Sequence, residues 1–216
     1  MLLGLMLIGV GVIQGGWLLL IAWFGCNFFA VGIAHALGAH GIFGKRRDGS
    51  LPFWSWLAFF PLIAVSIAVW YGLRLVSGES AQHAVTNDLV IGRRLVPSEV
   101  EGEFANYIDL TAEFCEPRAI RRSTGYICFP ILDGSAPDVE SLREMIARLR
   151  PGRTYIHCAQ GHGRTGLFTL ALMLNSGAVK TVAQGLEKLK AVRPRVGLSA
   201  VQRKCIEEFE ATLSRK

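Results

Sequence analysis

The sequence predicts an α/β protein with a largely parallel central sheet flanked by helices, preceded by transmembrane α-helices. Three observations support this fold class. Charged residues are absent from residues 1–44 and 51–73, although they make up 19% of the 216 residues. Short β-prone runs alternate with amphipathic helical patterns from residue 88 onward. One of these runs leads into a loop of small and polar residues that opens a helix. The predicted parts are a membrane anchor over 1–76, a linker over 77–87 and a folded domain over 88–216.

The two uncharged runs are long enough to cross a bilayer. A helix needs about 20 apolar residues, at about 1.5 Å each, to cross a hydrocarbon core of about 30 Å. Residues 51–73 fit one span, with tryptophans near both ends that suit the membrane interface. Residues 1–44 exceed one span, and the Gln-Gly-Gly sequence at 14–16 divides them into a short arm and a span over 17–37, or into a tight hairpin; we favour the arm. The sequence therefore predicts two, or three, hydrophobic helices and a multi-pass membrane location.

The orientation of the anchor rests on thiol chemistry. Counting basic residues gives no preference, because the loop at 45–47 holds three and Arg74, Arg93 and Arg94 follow the last span. The five cysteines show no disulfide or zinc spacing. A reactive thiol persists more easily in the reducing cytosol. We therefore expect the folded domain to face the cytosol.

The folded domain is predicted element by element. A polar stretch over 77–87 is typical of a linker. Amphipathic spacing and flanking prolines or glycines predict three helices, and an apolar run from Arg164 onward predicts a fourth. Alternation of strands and helices indicates a sheet covered on both faces, with its site at the carboxyl ends of the strands. The predicted strands are 88–91, 107–110, 125–129 and 154–157, and the amphipathic helices are 138–150, 180–192 and 199–213.

The sequence YIHCAQGHGRTG at 155–166 carries the chemistry. It places Cys158 at the end of a buried strand, before a short loop and a helix N-terminus. Backbone N–H groups and the helix dipole at such a turn favour a tetrahedral oxyanion and the thiolate form of the cysteine. Five residues between Cys158 and Arg164 let the loop close, so that the guanidinium can bind two phosphoryl oxygens. Thr165 can donate its hydroxyl to Cys158, and His157 is expected to brace the loop.

This motif resembles the signature loop of the cysteine-dependent protein tyrosine phosphatases, specifically their dual-specificity branch. The segment FPILDGSAP at 129–137 resembles that branch's general-acid loop, and Asp133 falls at the position of the acid. Gln202 matches a glutamine that several members carry near the hydrolytic water. The resemblance covers residues 88–216. It implies a phosphate-binding loop made by Ala159, Gln160, Gly161, His162, Gly163 and Arg164.

The resemblance implies hydrolysis of a phosphate monoester through a phosphocysteine, without a metal ion or cofactor. Ala159 and His162 stand where phosphoinositide-hydrolysing relatives place lysines. We therefore expect a phosphoprotein substrate first and a lipid phosphate at the membrane second. A non-catalytic phosphate-binding module and a rhodanese-type sulfurtransferase are the alternative classes. Arg193 and Arg195 suit a basic rim, although a solvated pair of charges is the interpretation we favour. The weak positive charge of residues 77–216 gives no indication of nucleic-acid binding.

Overall fold

The structure is a computed structural model, and it describes residues 1–123 and 125–213. The chain divides into two compact units. The first comprises residues 1–46, 50–77 and 113–115, and the second comprises residues 47–49, 78–112 and those from 116 onward. The division after residue 77 lies close to the predicted end of the anchor at residue 76.

The first unit is built from apolar helices. They are α1 (Leu2–Gln14), a 3-10 turn (Gly16–Leu18), α2 (Leu19–Leu37) and α3 (Phe53–Val76). The chain breaks after α1 because Gly15 and Gly16 both adopt positive φ angles, 63° and 57°. Residues 16–37 and 53–76 are each long and apolar enough to cross a membrane, whereas α1 is a shorter apolar helix.

Helix α1 packs along α2, so that the two form a hairpin rather than the span with a separate arm that we favoured. Glycines on α1 allow the close approach. A Cβ at Gly4 would lie 2.8 Å from the carbonyl oxygen of Gly25, and one at Gly11 would lie 2.6 Å from the backbone nitrogen of Ala22. The later residue of α1 thus faces the earlier residue of α2, as an antiparallel pair requires.

A polar contact joins α2 to α3 at the proline of α3. Pro61 has no N–H group, so this turn of the helix lacks one backbone donor. The side chain of Asn27, 3% exposed, donates to the carbonyl of Ala58 (2.9 Å) and accepts from the N–H of Leu62 (3.4 Å). Trp23 also donates to the carbonyl of Ala58, at 2.9 Å. The amide thus supplies hydrogen bonds around the position where the helix is weakened.

The second unit contains a five-stranded sheet in the order β1-β2-β5-β3-β4. Among the strands of the described residues, only β1 is antiparallel to its neighbour, which confirms the predicted largely parallel sheet. The segment 77–87 is not a linker throughout, because β1 lies inside it. The strands are β1 (Gln82–Ala84), β2 (Leu89–Arg93), β3 (Asn106–Thr111), β4 (Tyr126–Ile131) and β5 (Thr154–Cys158).

Helices of the second unit flank the sheet. The strands and helices predicted from periodicity are all present, with ends that differ by a few residues. Asp138 caps α5 by accepting from the N–H of Ser141, and Thr181 caps α7 by accepting from that of Gln184. Helix α6 packs against β5, and most of its side chains are buried. The helices are α4 (Arg118–Arg121), α5 (Val139–Ala147), α6 (Gly163–Asn175), α7 (Val182–Val192) and α8 (Ala200–Leu213).

Candidate active site

The last residue of β5 is Cys158, and its thiol lies inside the loop that follows. The residue is 3% exposed and is a free cysteine. Its Sγ accepts a hydrogen bond from the N–H of Gly161 at 3.3 Å. The loop therefore curls back over the sulfur, as the sequence predicts.

Three consecutive carbonyls of the loop accept hydrogen bonds from donors outside the loop. The carbonyl of Ala159 accepts from the N–H of Arg94, and those of Gln160 and Gly161 accept from the guanidinium of Arg193. A trans peptide places its N–H opposite its C=O. The N–H groups of residues 160, 161 and 162 therefore point away from the donors that hold these carbonyls, and that of Gly161 contacts Sγ. Such a row of amides is an anion-binding concavity.

Helix α6 begins at Gly163, directly after these amides, with His162 as its N-cap residue. Its positive end adds to the field at the loop. Gly161 has a φ of 75°, and a Cβ there would overlap the backbone of Gly92 at the end of β2. The loop therefore requires glycine at this position for both its backbone angle and its packing.

Arg164 and Asp133 meet at the mouth of the loop. The guanidinium of Arg164, 1% exposed, donates to the carbonyl of Ile131 at 3.0 Å, and its Nη2 lies 3.0 Å from Oδ1 of Asp133. The Asp133 side chain is 84% exposed. The structure thus brings together the nucleophile's loop, the arginine and the candidate acid. The exposed carboxyl is also the one of these groups that a substrate could meet first.

The loop that carries Asp133 is held by the start of α8. Ser199 donates its hydroxyl to the carbonyl of Gly134 at 2.8 Å. Gln202, 1% exposed, donates to the carbonyl of Ser135 at 3.0 Å and accepts from the N–H of Ser199 at 3.1 Å. A Cβ at Gly163 would lie 3.0 Å from the Gln202 oxygen. Gln202 therefore lies between the two loops of the site, with both ends of its amide engaged by protein.

Thr165 and His157 are both buried. The Thr165 hydroxyl forms no hydrogen bond with Cys158 or with any other residue in the described part of the chain, so the predicted bond is absent. His157 lies below the loop, where its Nδ1 is 3.3 Å from the carbonyl of Cys158 and its ring stacks on Tyr155. This placement agrees with a bracing role.

Beside His157 lies a buried network of polar side chains. Asp109, Glu116 and His157 bring potential metal ligands within 4.8 Å of one another. Asp109 accepts from the hydroxyls of Thr111 and Tyr126, both at 2.7 Å, and Glu116 pairs with Arg94. Because protein donors engage both carboxylates, we interpret the cluster as structural. Burial first, and then the charge of Asp109, raise the pKa of Tyr126 above its usual range.

Sequence reasoning missed the roles of two residues at the site, Arg193 and Glu79. Arg193 is 1% exposed, so the interpretation of Arg193 and Arg195 as a solvated pair is wrong for Arg193. Its Nη2 lies 2.8 Å from Oε2 of Glu79, and the same oxygen lies 2.8 Å from Nε2 of His162. Burial lowers the pKa of Arg193, and the Glu79 carboxylate opposes that shift.

The comparisons with known proteins agree with this fold. No protein-family model matches the chain. A 56-residue stretch is 41% identical to the phosphatidylglycerophosphate phosphatase PTPMT2 of Arabidopsis thaliana. That stretch spans 26% of this chain and 24% of the relative, so the match covers about a quarter of the relative's length.

Solved structures align over most of their own length. Tk-PTP in its active form aligns with a TM-score of 0.52 at 21% identity, covering 61% of this chain and 97% of that one. Human DUSP28 aligns with a TM-score of 0.53 at 13% identity, covering 63% and 97%. PTPMT1 in complex with PI(5)P aligns with a TM-score of 0.52 at 12% identity, and the alignment covers 63% of this chain and 98% of that one. The chain therefore contains the fold of the tyrosine and dual-specificity phosphatases.

Proposed function

We propose that this chain is a membrane-anchored phosphomonoesterase that works through a phosphocysteine intermediate. The observation that carries the proposal is the loop after β5. It places the N–H of Gly161 on the thiol of Cys158, holds three successive carbonyls in other donors, and lies next to Arg164 and Asp133. Nucleophile, oxyanion site and acid are the parts that phosphoryl transfer needs.

The chemistry follows from these positions. Cys158 attacks phosphorus as a thiolate, and the bond from phosphorus to the leaving oxygen breaks. The loop amides and the Arg164 guanidinium hold the other phosphoryl oxygens as charge spreads over them. Asp133 gives its proton to the departing oxygen. Asp133 then takes a proton from a water molecule that attacks the phosphocysteine, which releases inorganic phosphate and restores the thiolate.

Two side chains support these steps in the proposal. Gln202 fixes the loop of Asp133 against the phosphate-binding loop, so it keeps the acid within reach of the leaving oxygen and of the attacking water. Thr165, the residue after Arg164, has a buried hydroxyl. Rotation about its Cα–Cβ bond would let it donate to Sγ when the thiolate leaves the phosphocysteine.

A membrane location belongs to the same proposal. Two helices have the length and apolar character of spans, and a multi-pass anchor with a cytosolic catalytic domain fits the need for a reduced thiol. An enzyme tethered in this way meets membrane-bound substrates at a raised local concentration.

Of the two substrate classes, a lipid phosphate monoester is the better supported. The 56-residue match is to a phosphatidylglycerophosphate phosphatase, and PTPMT1, which shares the fold, was solved with PI(5)P. The sequence alone ranked a phosphoprotein first, because the loop at 159–163 lacks the lysines of phosphoinositide-hydrolysing relatives, and a phosphoprotein is therefore kept as the second candidate. Both substrates present the same phosphate to the same loop.

The test uses the full chain purified in detergent, with release of inorganic phosphate as the readout. Phosphatidylglycerophosphate, a phosphotyrosine peptide, a phosphoserine peptide and p-nitrophenyl phosphate are compared. We expect wild type to hydrolyse p-nitrophenyl phosphate and Cys158→Ser to lose about 10⁴-fold or more in kcat, whereas Cys128→Ser, the matched control, retains activity. A Cys158→Ser variant with wild-type turnover would disprove the mechanism.

The substrate ranking has its own outcome. A kcat/KM for phosphatidylglycerophosphate above that for both peptides supports the lipid class, and the reverse order supports the phosphoprotein class. Binding of phosphate without turnover would instead support a phosphate-binding module, and turnover of thiosulfate with cyanide would support a sulfurtransferase.

A further inference from the structure

The side chain of Arg193 uses all five of its N–H donors within the second unit. Nε donates to the carbonyl of Gly161 (3.0 Å), and Nη2 donates to that of Gln160 (2.8 Å) and pairs with Glu79 (2.8 Å). Nη1 donates to the carbonyl of Ser80 at 3.0 Å and to Nδ1 of His83 at 2.8 Å. A buried guanidinium with every donor engaged is held in one orientation.

This orientation bears directly on the nucleophile. The peptide group between Gln160 and Gly161 carries the carbonyl that Arg193 binds and the N–H that donates to Sγ of Cys158. Because the peptide is planar and trans, fixing its oxygen outward fixes its hydrogen inward. A charged donor on the oxygen also polarises the group and strengthens the bond that its N–H makes. Arg193 therefore acts on Cys158 through one peptide plane.

Arg193 is in turn held by the segment that follows α3. That segment, Gly78–Ala84, supplies the carboxylate of Glu79, the carbonyl of Ser80 and the ring of His83. Glu79 follows the last residue of α3, Val76, by three positions. Its carboxylate also binds His162, the residue at the N-terminus of α6, at 2.8 Å. One acidic residue thus contacts both the arginine and the loop that the arginine orients.

We propose that Arg193 and Glu79 are positioning residues of the phosphate-binding loop, so that the segment Gly78–Ala84, which follows the candidate membrane span in the chain, forms part of the scaffold of the site. This inference rests on the proposed function. Glu79 neutralises the buried guanidinium and holds the crest of the loop through His162, and Arg193 aims the loop amides at the phosphoryl oxygens. A change in the segment that moves Glu79 away from Arg193 would weaken oxyanion binding without touching Cys158, Arg164 or Asp133.

The test compares Glu79→Gln and Arg193→Lys with two matched controls at exposed positions of α8, Glu207→Gln and Arg203→Lys. The first variant keeps shape without charge, and the second keeps charge without the planar fork. Tungstate is the probe of the loop, and its dissociation constant is read from protection of Cys158 against iodoacetamide, followed on the Cys158 peptide by mass spectrometry. All measurements are made on the full chain in detergent, well below each variant's Tm.

We expect both site variants to bind tungstate about ten-fold more weakly or worse, to alkylate more slowly at Cys158, and to lose kcat/KM in parallel. Both controls are expected to match wild type. The double variant should lose less than the product of the two single losses, because the residues form one unit. If Glu79→Gln and Arg193→Lys bind tungstate as tightly as wild type does, the proposal is overturned, even if the Tm of these variants is lower.

The two proposals fail in different ways. If wild type binds tungstate at Cys158 but hydrolyses no phosphate monoester, the proposed function fails and the tungstate comparison still decides the roles of Glu79 and Arg193. If wild type is active and the two variants retain its kcat/KM, the positioning role fails alone.

Discussion

Asp133 and Arg164 form an ion pair across the mouth of the phosphate-binding loop, with Oδ1 and Nη2 3.0 Å apart. A phosphoryl group bound in the loop would replace the carboxylate as the partner of the guanidinium. The carboxylate is exposed, so the pair itself is weak and its exchange for a phosphate is easy. The pair thus keeps the acid beside the reaction without closing the loop.

Asp133→Asn separates the role of Asp133 as proton donor from its competition with phosphate for Arg164. We expect kcat for a poor leaving group, such as phenyl phosphate, to fall by about 10²–10⁴-fold because the proton donor is lost. The loss should be smaller for p-nitrophenyl phosphate, whose leaving group needs less protonation. Tungstate should bind about two- to five-fold more tightly, since no carboxylate competes for Arg164. Steady-state kinetics and tungstate inhibition measure both.

Glu207→Gln is the control for this substitution, because it makes the same carboxyl-to-amide change at an exposed position. A wild-type kcat for phenyl phosphate in Asp133→Asn would remove Asp133 from the mechanism. Weaker tungstate binding would show that the carboxylate does not compete for the arginine.

Gly161→Ala should inactivate the site through two separable causes. Position 161 has a φ of 75°, and an added Cβ would overlap the backbone at Gly92. Gly177 has a φ of 71°, and no atom of the described residues lies within 4 Å of its missing Cβ, so Gly177→Ala measures the backbone strain alone. We expect Gly177→Ala to lose about 1 kcal/mol of stability and no activity. Gly161→Ala should in addition lose tungstate binding.

Equal stability and equal tungstate affinity in the two alanine variants would contradict the close packing of the loop against β2. Thermal unfolding and Cys158 protection provide the two measurements.

The strands, helices and signature loop of the second unit could be predicted from sequence because each has a local signal. Apolar residues three and four positions apart mark the helices, and Cys158, Arg164 and the glycines between them mark the loop. Such signals depend on neighbours in the chain, which the sequence shows directly. Asp133 has no such local signal, and its place beside the loop was expected only from the resemblance. In the structure its carboxylate forms an ion pair with Arg164.

Arg193 and Glu79 could not be found in this way. An arginine beside a proline is more often solvated than buried, and its burial here depends on partners as far as 113 residues earlier in the chain. The segment 77–87 is polar, and its strand β1 has only three residues, too few for an alternating pattern. The antiparallel packing of α1 on α2 was equally hidden, since two alternatives for residues 1–44 fitted the same apolar run.

Asn27 is expected to stabilise the first unit through its contacts around Pro61. Asn27→Leu removes the hydrogen bonds to the carbonyl of Ala58 and the N–H of Leu62. Hydrogen bonds between apolar helices in a membrane contribute about 0.6 kcal/mol on average and up to about 1.7 kcal/mol. We expect a loss of about 1 kcal/mol, measured by unfolding in mixed detergent micelles.

Cys26→Leu is the matched control, because Cys26 is the exposed neighbour of Asn27 on the same helix. The control should retain wild-type stability. A loss in Cys26→Leu as large as in Asn27→Leu would indicate an effect of helix composition instead of the hydrogen bonds.

The pH dependence of stability should contain a contribution from His83. Burial first, and then the nearby Arg193 guanidinium, lower the pKa of His83 from its usual 6.5, while the Glu79 carboxylate opposes the shift. The unfolded chain therefore binds a proton at this residue more readily than the folded protein does. The contribution of His83 is complete above pH 6.5 and is lost as the pH falls through the lowered pKa. Protonation would also end its acceptance of a hydrogen bond from Arg193.

Two substitutions separate the titration from the hydrogen bond. His83→Asn keeps an acceptor for Arg193 but does not titrate, so its Tm should fall less than that of wild type between pH 7 and pH 5. His83→Ala lacks the acceptor, and its Tm should be lower than that of His83→Asn at both pH values. Thermal unfolding of the full chain in detergent measures both differences. If His83→Asn loses as much Tm as wild type over this range, another group carries the pH dependence. Because Arg193 also holds the carbonyls of Gln160 and Gly161, tungstate should bind more weakly to His83→Ala than to His83→Asn at pH 5.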